Sequence, residues 1–316
     1  MNYKHKLIFV LLFSVISTIT VSKACDICGC GVGSYYLGIL PDFNKRFVGL
    51  RYQFNTIDTH LGPDGEKTLI SNKERYQTVE LWGAWSFGKK WRVMGFIPYS
   101  FNYRKVNGSG ETGKKNGLGD ILLMGYYRVF ELRHTTDKKN KMIVHSLWGG
   151  AGIKLPTGKY KDSDRTAAMD APNNFQLGTA STDFLVNLAY DFRVMDGGFN
   201  TNISYKINTE NKHEYRYGNK FTANVLGYYK FAPDSSKVRI APNIGGMIEV
   251  QPKDVIYNRF DVAQSGGYTL SAVAGIELNI DKISFGGNFQ QPVVQHLAEK
   301  RAKAGSRFLV HVSYAF

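Results

Sequence analysis

The chain has 316 residues and a formal net charge of +14, with 14% aromatic residues, 33 glycines and only 9 prolines. After residue 24 no continuous apolar run is long enough to cross a bilayer as a helix, which excludes a helical membrane protein. The Lys and Arg residues are dispersed and form no recognisable nucleic-acid module, which excludes nucleic acid as the counterpart of the charge; lipopolysaccharide phosphates and anionic solutes fit it better.

In chain order, residues 1–24 read as a secretory signal. Lys4 and Lys6 precede an apolar stretch from Leu7 to Ile16 and a small-residue site at Ser22-Lys23-Ala24. Cleavage there removes three lysines and no acid, so the exported chain stays basic. Residues 25–44 form a short Cys- and Gly-rich N-terminal tail holding all three cysteines, Cys25, Cys28 and Cys30. Three fates are open to them: a disulfide with one sulfur left over, joint ligation of a soft metal such as copper, as Cu(I), by thiolates, or lipid attachment at Cys25. With three thiols and no nearby His, a tetrahedral zinc site is incomplete.

From residue 45 to 316 the chain alternates with a period of two. Phe199, Thr201, Ile203, Tyr205 and Ile207 interleave with Asn200, Asn202, Ser204, Lys206 and Asn208, which is a strand with one wet face. About twelve strands are predicted, near 45–57, 73–87, 90–105, 117–132, 141–155, 177–193, 197–208, 219–231, 237–250, 266–280, 282–294 and 305–316. Tight or modest turns near 88–89, 133–140, 196–197, 232–236 and 281–282 alternate with longer polar segments near 58–72, 106–116, 156–176, 209–218, 251–265 and 295–304. Such sorting is the mark of an all-β transmembrane antiparallel β-barrel with short periplasmic turns and longer external loops. Both termini then face the periplasm, and the cell outer membrane is the expected location.

Two glycine motifs, Gly117-Leu118-Gly119-Asp120 and Lys154-Leu155-Pro156-Thr157-Gly158-Lys159, stand at strand ends, and Gln176-Leu177-Gly178-Thr179-Ala180-Ser181-Thr182-Asp183 opens another. With these the sequence resembles the outer-membrane transporter barrels grouped with the meta-pathway phenol-degradation family, from residue 45 onward. The resemblance implies uptake of small hydrophobic or aromatic compounds. The C-terminal strand, in which Phe308, Val310, Val312, Tyr314 and Phe316 share one face, resembles the ending by which the barrel-assembly machinery recognises its clients.

If apolar faces meet lipid, the opposite faces put Arg51, Glu80, Arg92, Asp120, Arg128, Lys154, Asp183, Asp191, Arg193, Lys206, Arg239, Glu249, Glu277 and Arg307 inside. The expected interior is polar and of mixed sign, either a solute path tuned by charge or a set of pairs that plugs the barrel. A channel or transporter for a small solute is the leading function. A barrel whose cysteine tail handles copper, and a docking barrel using the loops near 156–176 and 251–265, are the alternatives. His311 and Ser313 have the spacing of an outer-membrane hydrolase pair, but they fall on the inner face, away from acyl chains, and no surrounding lipase motif accompanies them; no enzyme activity is expected.

Overall fold

Side chains that alternate in chemistry must place the two faces of a strand in different media. The computed structural model, which describes residues 46–136, 141–162, 173–232 and 238–316, satisfies this by rolling the chain into a barrel. In chain order the strands are β1 (Phe47–Thr59), β2 (Asn72–Phe87), β3 (Trp91–Val106), β4 (Thr112–Leu118), β5 (Ile121–Thr136), β6 (Lys141–Leu155), β7 (Asp183–Val194), β8 (Gly197–Ile207), β9 (Tyr215–Arg216), β10 (Lys220–Tyr229), β11 (Val238–Gln251), β12 (Val255–Ile256), β13 (Phe260–Asp261), β14 (Gly267–Ile280), β15 (Ile283–Leu297) and β16 (Lys303–Ala315). β9, β12 and β13 form a small separate sheet among the loops. The others pair antiparallel with their chain neighbours, and β1 closes the ring by pairing with both β2 and β16.

β3 pairs with β5 over Trp91–Phe96 and with β4 over Tyr99–Lys105. β4 and β5 are therefore the upper and lower halves of one wall strand, broken at Gly119-Asp120, and the closed antiparallel barrel has twelve wall positions. No backbone edge is left to face hydrocarbon, the condition for a sheet to cross a membrane.

The outer face is apolar: Leu50, Leu81, Val93, Ile97, Leu123, Val186 and Val225 are all exposed. Aromatic rings mark its lower limit, with Trp85 against Phe316 (5.8 Å between centroids) and Trp91 against Tyr127 (4.8 Å). On β3 the upper limit is marked by Tyr99 and Phe101, 5.1 Å apart. From Trp91 to Phe101 a tilted strand climbs about 25 Å along the membrane normal, the height of an outer-membrane apolar band.

Four expectations need correction. The segment 106–116 is largely strand, a hairpin extension of β3 and β4. The strand expected from 177 begins at Asp183, because Phe175, Leu177 and Thr179 turn inward and are buried. The segment 295–304 is mostly the ends of β15 and β16 around a single turn, Ala298–Lys300, with Leu297, Ala298 and Ala302 packed inside against Ile57 and Tyr76. The segment 251–265 is only partly a loop: β12 pairs with β9 and β13, and Asp254 is buried, accepting hydrogen bonds from the Tyr215 hydroxyl and the Gly218 N–H, while Tyr257 to Asp261 stay exposed. In the last three cases a polar-looking stretch carries buried side chains that pack at the mouth of the barrel, whereas the 106–116 hairpin stays largely exposed.

Loop lengths assign the mouth bearing Asp64 and Lys300, both exposed, to the outside. In a background with Cys25, Cys28 and Cys30 changed to Ser, cysteine at position 64 or 300 should react with a membrane-impermeant maleimide on intact cells. Cysteine at Lys89 or Asp196, in the opposite turns, should react only after the outer membrane is permeabilised. Labelling in the reverse order would invert the barrel.

Candidate functional site

The residues expected inside occupy the inward register of their strands, with differing surroundings. Arg51 and Glu80 stand directly opposite on β1 and β2 and form a buried ion pair. Glu249 takes Lys220 at 2.8 Å and Arg307 at 3.4 Å, and Lys206 lies opposite Lys220 in the register. Glu277 meets His311 Nε2 at 3.1 Å. Asp191 accepts the Tyr228 hydroxyl proton at 3.0 Å, and Arg128 pairs with Glu131. Arg193 is half-buried near the lower end of β7, whereas Arg239 opens to solvent at the lower end of β11. Ser313 is buried two residues from His311 on the same inner face.

A wholly polar interior is not what the structure contains. Phe47, Trp82, Met94, Phe96, Leu122, Met124, Tyr126, Trp148 and Leu185 point inward from β1, β2, β3, β5, β6 and β7 and form one buried apolar cluster. Phe47 meets Trp82 edge-on at 4.6 Å, and Trp82 stacks with Phe96 at 6.4 Å. Three guanidiniums lie over these rings: Arg51 is 5.3 Å from Trp82, Arg92 5.5 Å from Phe47 and Arg128 5.4 Å from Trp148. Cations over aromatic faces in a desolvated setting gain about 2 kcal/mol each, which helps offset the cost of burying Arg92, 1% exposed. The opposite wall offers Asn202, Asn224, Asn243, Ser271 and Asn288 to the interior. One half is thus aromatic with two methionines, while the other sets amides and hydroxyls beside a smaller apolar cluster of Leu226, Met247, Val273 and Leu309. The sequence held a signal for the apolar half: Leu122-Leu123-Met124 and Tyr126-Tyr127 are apolar on both faces, so alternation fails there.

At the outer mouth the glycine motifs converge on one carboxylate. Asp120, at the break between β4 and β5, accepts from Gly158 N–H (2.9 Å), Thr179 N–H (2.9 Å) and Lys154 Nζ (2.8 Å). Lys154 also pairs with Asp183 at 2.7 Å. Thr157 donates its hydroxyl to the Gly119 carbonyl at 2.8 Å and accepts the Ile121 N–H at 2.9 Å. Gly158 and Gly178 pass so closely that a Cβ on Gly158 would meet Gly178 Cα at 2.7 Å, which only glycine permits. Asp120, Lys154 and Asp183, at most 1% exposed, therefore fasten the chain entering and leaving the 156–182 connection to the inner wall.

The proposed ligands Cys25, Cys28 and Cys30, with the tail and signal of residues 1–44, lie outside the described residues. Among the described residues no cluster of His, Cys, Asp or Glu could hold a metal ion.

Asp120→Asn places an amide where four donors converge, the Thr179 hydroxyl at 3.0 Å being the fourth, and leaves Lys154 with one carboxylate. Breaking a buried pair of this kind costs about 3 kcal/mol. The urea midpoint of the protein folded in lipid vesicles should fall, and limited proteolysis should cut within 156–182, whereas Glu111→Gln at the exposed hairpin tip should change neither. An unaltered midpoint with no new cleavage would show that the knot does not hold this connection.

The comparisons with known proteins agree with this architecture. A structure with a TM-score of 0.56 is the COG4313 outer membrane channel from Pseudomonas putida F1, 12% identical, the match covering 86% of this chain and 96% of that one. A Pseudomonas aeruginosa FadL homologue gives 0.38 at 11% identity over 86% and 90% of the two chains. The translocator domain of the autotransporter NalP from Neisseria meningitidis gives 0.38 at 10% over 87% and 90%. No curated protein sequence matches. The fold is that of an outer-membrane β-barrel. A family model described as "Putative MetA-pathway of phenol degradation" matches residues 53–244, more than half of the sequence, and the chain belongs to that family.

Proposed function

We propose that this barrel is a channel passing small solutes with an aromatic or otherwise hydrophobic body across the outer membrane. The observation that carries the reading is the inward cluster around Trp82, Phe96, Met124 and Trp148, facing an amide-rich wall. A barrel that conducts only water and ions gains nothing from rings inside it, whereas a path with one apolar and one hydrogen-bonding side suits an aromatic ring bearing a polar group. The description of the family and the channel nature of the Pseudomonas putida protein support the same class. Most inward side chains are buried, so a solute advances as Met94, Met124 and their neighbours shift, and the path is narrow. The closing strand β16, ending beside Phe316, would be the element read by the assembly machinery.

Proteoliposome swelling tests this. Wild-type protein should admit benzoate faster than arabinose, with small single-channel conductance in planar bilayers. Phe96→Ala combined with Trp148→Ala should raise arabinose entry at least twofold and erase the preference. If neither solute enters wild-type or variant vesicles faster than protein-free ones, while the barrels remain folded, the channel reading fails.

A further inference from the structure

Above the aromatic belt the outer wall changes character on one side of the barrel. Facing outward across β2, β3 and β4, the rows run upward from Val79, Tyr99 and Leu118, through Gln77, Phe101 and Asn116, to Arg75, Tyr103 and Lys114, and finally to Lys73 beside Lys105. The members of each row are direct cross-strand partners. The upper rows enclose a groove of about 520 Å³ lined by Lys73, Arg75, Gln77, Tyr103, Lys105 and Lys114. All four cations are exposed, and among the described residues none of them carries an ion pair. Arg75 lies 5.9 Å from the Tyr103 ring. The neighbouring acids are Asp58, opposite Lys73 but held by Lys67 at 3.3 Å, and Glu111 in the turn before β4.

Lys73 directly opposite Lys105 is a repulsive pair in a ladder, and Arg75 and Lys114 flanking one tyrosine add to it. A multivalent anion would relieve that repulsion. The height decides which anion. The cations begin just above Phe101, the upper edge of the apolar band, where lipid headgroups lie and where aromatic side chains concentrate. The apolar rows below would contact acyl chains of the same molecule. We infer that this groove is a docking site for the phosphorylated glucosamine headgroup of lipid A in the outer leaflet, with Arg75 as a fork on one phosphate and Lys73, Lys105 and Lys114 as point charges around it. The site stands apart from whatever passes through the barrel, since its four cations and Tyr103 are on the outward register of their strands.

Full mature protein in nanodiscs of phosphatidylcholine should retain bisphosphorylated lipid A through native mass spectrometry and should bind the dephosphorylated form at least tenfold more weakly. Lys73→Gln, Arg75→Gln, Lys105→Gln and Lys114→Gln together should lower retention at least tenfold with heat-modifiable migration intact. Arg75→Gln alone, which removes one exposed side chain from a folded barrel, should lower it about threefold. Lys89→Gln with Lys90→Gln and Lys282→Gln, at the opposite mouth, should leave it unchanged. Wild-type retention in the quadruple variant would overturn the assignment, as would equal binding of dephosphorylated lipid A. Full displacement by millimolar inorganic phosphate would also overturn it, marking a free-phosphate site.

Discussion

Everything in this protein depends on the pairing of β1 with β16. Within hydrocarbon a strand edge leaves a row of N–H and C=O groups without partners, each costing several kcal/mol, so a sheet is tolerated only when its first and last strands meet. Here they meet from Phe47 opposite Ala315 to Asp58 opposite Lys303, with one irregularity between Asn55 and Ile57. Closure sorts the side chains of every wall strand into two populations, one for lipid and one for the interior.

Closure at twelve positions also limits the interior. A ring of this size lies between one that its side chains just fill and one that leaves an open aqueous channel, and the inward residues use the space in two ways. Arginines lie over aromatic rings on one wall, while carboxylates are matched by Arg, Lys or His: Glu80 by Arg51, Glu249 by Lys220 and Arg307, Glu277 by His311. Solute path and plug are thus less opposed than the sequence suggests. Paired charges keep most of the interior compact, and under the proposed channel function the flexible apolar side chains of β3 and β5 are the part that yields.

The outer mouth obeys a different rule. Its connections are irregular backbone, which needs partners once it leaves water. The Asp120 carboxylate supplies them for Gly158 and Thr179, and the Asp254 carboxylate does the same for Gly218 near the β9, β12 and β13 sheet. Tyr217 joins the two regions by donating its hydroxyl to the Asn173 carbonyl at 3.0 Å. Two buried carboxylates thus organise the polypeptide that covers the entrance, which explains why glycines and an aspartate, rather than reactive groups, make up the motifs.

The sequence by itself determined the barrel. Period-two alternation, the sorting of connections by length and the twelve strand positions are local consequences of each strand having lipid on one side, and they survive without knowledge of any partner strand. It also placed Arg51, Glu80, Lys154, Glu249, Glu277 and Arg307 on the inward register, because parity within a strand is a local property. Which of them would meet was decided by the tertiary structure alone: Arg307 reaches Glu249 from 58 residues away. The aromatic interior was half-legible, since both faces of β5 are apolar in its upper part, yet only closure shows which face turns in. The mouth was the least legible, because polar stretches such as 173–182 and 209–218 look like solvated loops until a distant buried carboxylate, Asp120 for Thr179 and Asp254 for Gly218, accepts their backbone N–H groups, and these contacts lie tens of residues apart in the chain.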